Sequence, residues 1–187
     1  GWFDAPATRP LFGTTVLVTR ARAQASQLTK KLDALGARCI ELPAIKIAPP
    51  PDAYEAVNAA IQRIADYDWL IFTSTNGVDA FFARLFAAGK DVRSLAKARL
   101  AAIGKSTAKR LKIYGLHADL MPGEFRAEGI LFALKGELAP GARVLIPRAL
   151  EAREILPDSL RQYGATVDVV PVYETVTEQD DPAAVRE

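Results

Sequence analysis

The sequence predicts an α/β protein with mostly parallel sheet, and three observations carry that prediction. Short apolar strands alternate with helix-length amphipathic stretches along almost the whole chain. The run WLIF at 69–72 is continuously apolar, the pattern of a strand covered on both faces. After the strands come turns rich in Ser, Thr, Asn and Gly, the residue types that start helices.

In chain order, Thr14–Thr19 (TTVLVT) reads as a strand and Ala23–Leu35 as a helix closed by Gly36. Ala37–Leu42 is a second strand, leading into a proline-punctuated segment from Pro43 to Pro51 with Ile45 and Ile47 alternating. Asp52 is placed to cap a helix that continues to Ile64. Strand Trp69–Phe72 follows, then a helix Gly77–Ala88 with Phe81, Phe82, Leu85 and Phe86 at helical spacing. Next come strand Leu100–Ile103, helix Ser106–Tyr114 ended by Gly115, and strand His117–Met121. Helix Ala127–Lys135, strand Arg143–Ile146 and helix Arg153–Tyr163 complete the middle of the chain. The last strand, Thr166–Val176, carries Pro171 within it.

The prolines near Pro43 and Pro171 bracket an expected second domain at 43–167. Residues 13–42 plus 168–187 would form a partial first domain and the connecting strands. One strand and one helix before Gly36 bury too little apolar surface alone, so either the inner domain covers them or, as the favoured expectation, further chain after Glu187 completes them. Residues 1–12, with an apolar pair, two prolines and no periodicity, read as a linker.

Composition narrows the function classes. Half of the 187 residues are hydrophobic and 25% are charged, which is globular and not disordered. The 24 basic and 22 acidic residues nearly cancel, so charge alone gives no nucleic-acid footprint. The single cysteine, Cys39, cannot form an intramolecular disulfide and suits the cytoplasm. No apolar run approaches the roughly 20 residues of a membrane span. Cys39 and the only histidine, His117, do not make a zinc site, and no metal or cofactor is expected.

The strand ends are where an open parallel sheet binds ligands. They read Thr19-Arg20-Ala21-Arg22, Thr73-Ser74-Thr75-Asn76, Gly104-Lys105-Ser106-Thr107, Pro122 to Arg126, and Pro147-Arg148. Four of the five carry Arg or Lys and three offer hydroxyls, a set suited to a ligand with several carboxylates. For any single loop, helix capping explains the same residues; the recurrence favours anion binding. GKST at 104–107 is not a nucleotide P-loop, because Arg99 stands where the first glycine is needed. No G-x-S-x-G elbow or G-x-G-x-x-G turn is present. Arg148, Arg153 and Glu154 surround a helix start, as a solvated pair or as a substrate clamp. Tyr173, in VPVYETV, either packs a domain seam or serves as a proton donor, since a phenol with an ordinary pKa of about 10 is protonated at neutral pH.

These segments taken together resemble a known family. VLVTRARAQASQL, LPAIKI, DWLIFTSTNGVDAFF, LAAIGKSTAKRL, FRAEGIL, VLIPRALEAREILPDSL and GATVDVVPVYET follow, in order, the pattern of uroporphyrinogen-III synthase, from about Leu11 to Thr175. The resemblance implies two flavodoxin-like parallel-sheet domains joined by a two-stranded β ladder, with a cleft between them and the first domain incomplete here. It implies a monomeric cytoplasmic lyase acting on hydroxymethylbilane, without cofactor, metal, nucleic acid or membrane. Tyr173 and Thr107 are the implied catalytic groups. Thr19, Arg20, Ser74, Thr75, Asn76, Gly104, Ser106 and Arg148 are the implied binders of acetate and propionate groups. The opening WFDAPATRPLFG resembles the junction found where this enzyme is fused behind a uroporphyrinogen methyltransferase. The alternative reading is a non-catalytic α/β module that binds an anionic metabolite or tetrapyrrole.

Overall fold

A computed structural model of the protein describes residues 9–95, 97–124 and 127–178. Most of the expected linker (1–8), Phe125 and Arg126 of the fourth loop, and residues 179–187 of the expected first domain lie outside the described residues. Two compact units emerge, one formed by residues 9–48 with 175–178 and the other by 49–174.

In the first unit, β1 (Thr15–Val18) and β2 (Arg38–Glu41) pair in parallel, Thr15 opposite Arg38 and Val18 opposite Glu41. Helix α1 (Arg22–Ala34) connects them. It stops at Gly36, whose φ of +93° lies in the left-handed region that favours glycine. The Gly36 N–H donates to Asp33 O and the Ala37 N–H to Leu32 O, which satisfies the last turn of the helix. A Cβ at Gly36 would also stand 2.8 Å from Arg9 Cβ. Strand β3 (Ile45–Ala48) follows, and Ala44 O accepts from the Glu178 N–H.

The second unit begins with α2 (Glu55–Gln62), then β4 (Trp69–Phe72), α3 (Thr75–Ala87), β5 (Arg99–Ala102) and α4 (Lys105–Ile113). It continues through α5 (Ala127–Leu134), β6 (Arg143–Ala149), α6 (Ile155–Gln162) and β7 (Thr166–Thr177). Within this unit the strand order is β7-β6-β4-β5, and the pairs β4–β5, β4–β6 and β6–β7 are parallel. The α/β class with parallel strands therefore stands.

Alternation along the strands splits the interior into two cores. Leu70, Phe72, Leu100, Ala102 and Leu145 face one way, against Val57 and Ile61 of α2, Phe81, Phe82 and Leu85 of α3, and Leu111 of α4. Trp69, Ile71, Ala101, Val144 and Ile146 face the other way, against Ile130 and Leu134 of α5 and Leu156 and Leu160 of α6. Helices thus cover both faces, which explains why WLIF shows no polar alternation. Phe72, Phe81 and Phe82 meet with ring centroids 5.4–6.1 Å apart, and Tyr114 stacks on Phe82 at 4.4 Å.

Several boundaries differ from the sequence expectation, each for a physical reason. Helix α3 starts at Thr75 and not at Gly77, because Ser74 serves as its N-cap. Thr75 and Asn76 therefore belong to the first helical turn. Asp52 does cap by accepting from the Tyr54 and Ala56 N–H groups, but the helix begins only at Glu55, after left-handed Ala53 and Tyr54. His117–Met121 is not a strand: a single bridge joins Ala101 and Leu120, and the Asp119 carboxylate accepts the Leu100 N–H. Strand β6 runs three residues past the expected Ile146, to Ala149, so Pro147 and Arg148 are strand residues. Proline is tolerated there because the β4–β6 ladder ends at Leu70–Leu145, before Pro147.

The Tyr114 hydroxyl donates to Asp79 at 2.9 Å, and burial together with this bond raises its pKa to about 12. A raised phenol pKa means that the contribution is complete below about pH 10, the ordinary tyrosine value, and is lost as pH rises through about 12. Phenolate absorbance should show Tyr114 ionising late, and Asp79→Asn should move that ionisation back toward the ordinary range. An unchanged titration in the variant would exclude the Asp79 contribution.

Candidate functional site

Parallel pairing of β4 and β5 puts their carboxyl ends side by side, with Phe72 opposite Ala102 and the Ile103 N–H donating to Phe72 O. Two helices start immediately beyond, α3 at Thr75 and α4 at Lys105. Between them lies a pocket of about 430 Å³ lined by Thr73, Ser74, Thr75, Ile103, Gly104, Lys105, Ser106 and Thr107. The wall is made of hydroxyls, one ammonium and the starts of two helices. First-turn N–H groups have no acceptor within their own helix and carry the positive end of its dipole, so the pocket suits an anion such as a carboxylate.

Local sequence explains this geometry. Ser74 has an extended backbone, and its Oγ accepts from the Gly77 N–H at 2.9 Å, the bond that starts α3. Gly77 is buried against β6: a Cβ there would stand 3.0 Å from Pro147 O and 3.1 Å from Ser74 Oγ. Glycine at 77 lets the helix start sit directly on the neighbouring strand. Gly104 caps α4 without a side chain, which leaves that helix start open toward the pocket. Thr107, in the first turn of α4, is only 2% exposed.

Five of the residues expected from sequence therefore converge: Ser74, Thr75, Gly104, Ser106 and Thr107 all line one pocket. Tyr173 joins them indirectly, its hydroxyl 3.2 Å from Ser74 Oγ while the residue as a whole is 9% exposed. Asn76 lies in the first turn of α3 without lining the pocket. Thr19 and Arg20 follow β1 in the first unit, where Thr19 O accepts the Ala44 N–H.

Arg148 is not the solvated surface group that its sequence context allowed. Its side chain is 7% exposed; one guanidinium nitrogen donates to Arg153 O at 2.7 Å and another pairs with the Glu154 carboxylate. Its Nε is buried with no hydrogen-bond partner among the described residues. The arginine binds the β6–α6 loop to the end of its own strand.

Thr73 and Lys105 were read only as members of the strand-end loops, and Ile103 and Gly77 were not among the expected site residues. The first three occupy the same two loops and follow once β4 and β5 are known to be neighbours. Gly77 shows itself only through the close approach of Pro147 O. Among the described residues no group of three or more His, Cys, Asp or Glu side chains is arranged to hold a metal ion, and no helix is long and apolar enough to cross a membrane.

Comparison with known proteins adds a family to this geometry. The HEM4 family model, uroporphyrinogen-III synthase HemD, matches residues 26–187. A uroporphyrinogen-III synthase of Synechococcus elongatus is 40% identical over 170 residues, covering 90% of this chain and 63% of that protein. The porphyrin biosynthesis protein HemD of Ruminiclostridium josui is 36% identical over 174 residues, covering 93% of this chain and 34% of that protein. The chain thus spans less than two thirds of the length of either relative. A uroporphyrinogen III synthase structure from Thermus thermophilus superimposes with a TM-score of 0.66 at 21% identity, covering 89% of this chain and 64% of that one. One from Helicobacter pylori gives 0.55 at 18% identity, with 92% and 68% covered. At such identities the structures establish the α/β fold alone.

Gly77→Ala should lower stability by about 1 kcal/mol, because crowding a buried strand carbonyl outweighs the helix propensity gained. Urea unfolding measures this directly. A stabilised variant would mean that α3 can lift from Pro147 without cost.

Proposed function

The chain belongs to the uroporphyrinogen-III synthase HemD family, and we propose that it cyclises hydroxymethylbilane to uroporphyrinogen III. The reaction class is a lyase that removes water. The observation that carries this reading is the pocket at the ends of β4 and β5, where Ser74, Thr75, Gly104, Ser106 and Thr107 converge and Ser74 reaches Tyr173.

The chemistry asks for modest acid help and strict geometry. Loss of hydroxide from the hydroxymethyl carbon, with a proton supplied, gives water and an azafulvenium cation. The terminal pyrrole attacks through its substituted carbon to form a spiro intermediate, which fragments and recloses with that ring inverted. Unguided closure gives isomer I, so holding a flexible chain in one conformation is the main task. Tyr173 is the proton donor in this reading and Thr107 a second polar group beside the reacting ring. The substrate carries acetate and propionate groups, and hydroxyls and helix starts suit these anions. Thr75, Asn76, Gly104, Ser106 and Ser74 supply that function, and Thr19 and Arg20 belong to the same set of proposed binders. Arg148 belongs to the set through its buried charge and its unpaired Nε.

The same reading includes two flavodoxin-like domains joined by a two-stranded ladder. The partial first domain comprises residues 13–42 and 168–187, and the second comprises 43–167. A cytoplasmic monomer is the expected form, alone or behind a fused methyltransferase.

The isomer ratio formed from hydroxymethylbilane by the full natural protein tests the reading. Predominant isomer III is expected, and Tyr173→Phe should reduce kcat by about a hundredfold with little change in KM. Isomer I at the spontaneous rate would leave a binding module in place of an enzyme.

A further inference from the structure

Two features of the fold bring the Tyr173 hydroxyl to its position. The first is a register break between β6 and β7. The strands pair residue for residue from Arg143–Thr166 to Arg148–Pro171, and then Ala149 pairs with Tyr173. Val172 has no counterpart in this pairing. Before the break, Val167 packs on the α5–α6 side and Val170 on the side of α2, α3 and α4. Strict alternation would send Tyr173 to the α5–α6 side with Val167. The extra residue carries it to the other side, where both Val172 and Tyr173 join the core under α3.

The second feature is Ser74. Its Oγ accepts the Gly77 N–H and lies 3.2 Å from Tyr173 Oη. A serine hydroxyl has two lone pairs and one proton, so it can hold the helix cap and still exchange a hydrogen bond with the phenol. The cap fixes Oγ in place, because rotating χ1 would abandon the Gly77 N–H.

We propose that Ser74 is a positioning residue for Tyr173, holding the phenol hydroxyl at the N-terminus of α3 where Ser74 can return a hydrogen bond to it after proton transfer. This rests on the reading of Tyr173 as proton donor. In the dehydrating step the carbon–oxygen bond of the hydroxymethyl group breaks with its electron pair on oxygen. Tyr173 Oη gives that oxygen a proton, leaving water, the azafulvenium cation and a phenolate. The Ser74 O–H then turns to the phenolate while its lone pair keeps the Gly77 N–H, and the positive end of α3 favours the anion. The proton released when the attacking pyrrole regains aromaticity returns to Tyr173.

The test uses the full natural protein and hydroxymethylbilane, with Ser74→Ala, Ser74→Thr and Ser74→Asp made in the native background and in Tyr173→Phe. Native protein forming isomer III is checked first, which judges the synthase reading separately. Ser74→Ala should lower kcat by about tenfold or more with KM within about twofold, and Ser74→Thr should recover most of the loss. Ser74→Asp can still accept the Gly77 N–H, so it preserves the helix start, but it has no proton to offer the phenolate and should also lower kcat by about tenfold or more. In Tyr173→Phe, Ser74→Ala should change kcat by less than about twofold, because residues acting as one unit are not additive. A Ser74→Ala loss that persists undiminished in Tyr173→Phe, or that falls in KM alone, would overturn the proposal and leave Ser74 as a substrate contact only. Full turnover in Ser74→Asp would overturn it as well.

Discussion

The second unit is organised around β4, which is closed in on every side. Its four residues are all buried, it is hydrogen-bonded to β5 and β6, and helices cover both of its faces. A strand held this way cannot slip by one residue without turning Leu70 and Phe72 into the wrong core. Its carboxyl end is therefore a fixed point. The Ser74 cap, the start of α3 and the wall of the pocket all depend on that point. Gly77 completes the arrangement by letting α3 rest on the Pro147 carbonyl, where a methyl group would be crowded.

The two ends of the sheet differ in their electrostatics. At the amino ends of the strands, charges are paired: Lys97 with Asp68, Arg99 with Glu137, and Arg63 with Asp168. The Arg143 N–H and the nearby Lys97 hold the Asp68 carboxyl below its usual range. Tyr67, buried and donating to Asp168, has its pKa pushed well up. These groups satisfy each other and stabilise that end of the strands. At the carboxyl ends of β4 and β5, hydroxyls and helix starts line the pocket and offer donors to an anionic ligand. Arg148 is the exception, a cation buried at the end of β6 and held by Glu154 and Arg153 O.

Much of this was legible in local chemistry. The apolar run 69–72 marked a doubly covered strand, and the Ser/Thr-rich turns after β4 and β5 marked the pocket. Boundaries slipped where a side chain competed with the backbone. Ser74 began α3 earlier than Gly77 suggested, and the Asp119 carboxylate occupied the Leu100 N–H beside a segment expected to be a strand. Arg148 lies deeper than its neighbours Arg153 and Glu154 suggest in sequence, because the strand continues through Pro147 and buries the guanidinium.

The sequence by itself determined the α/β class, the order of the elements and the chemical character of the strand ends. These depend on hydrophobic period and capping residues, which act over a few positions. Tertiary structure alone decided which ends meet and where Tyr173 points. Strand order is a matter of long-range pairing, so the neighbourhood of Ser74 and Thr107 could not be read from residues more than thirty positions apart. The side of the sheet that Tyr173 occupies depends on one unmatched residue, Val172, in a ladder with a strand some twenty positions earlier. Period-2 alternation alone predicts the opposite face; the bulge reverses it and brings the phenol to Ser74.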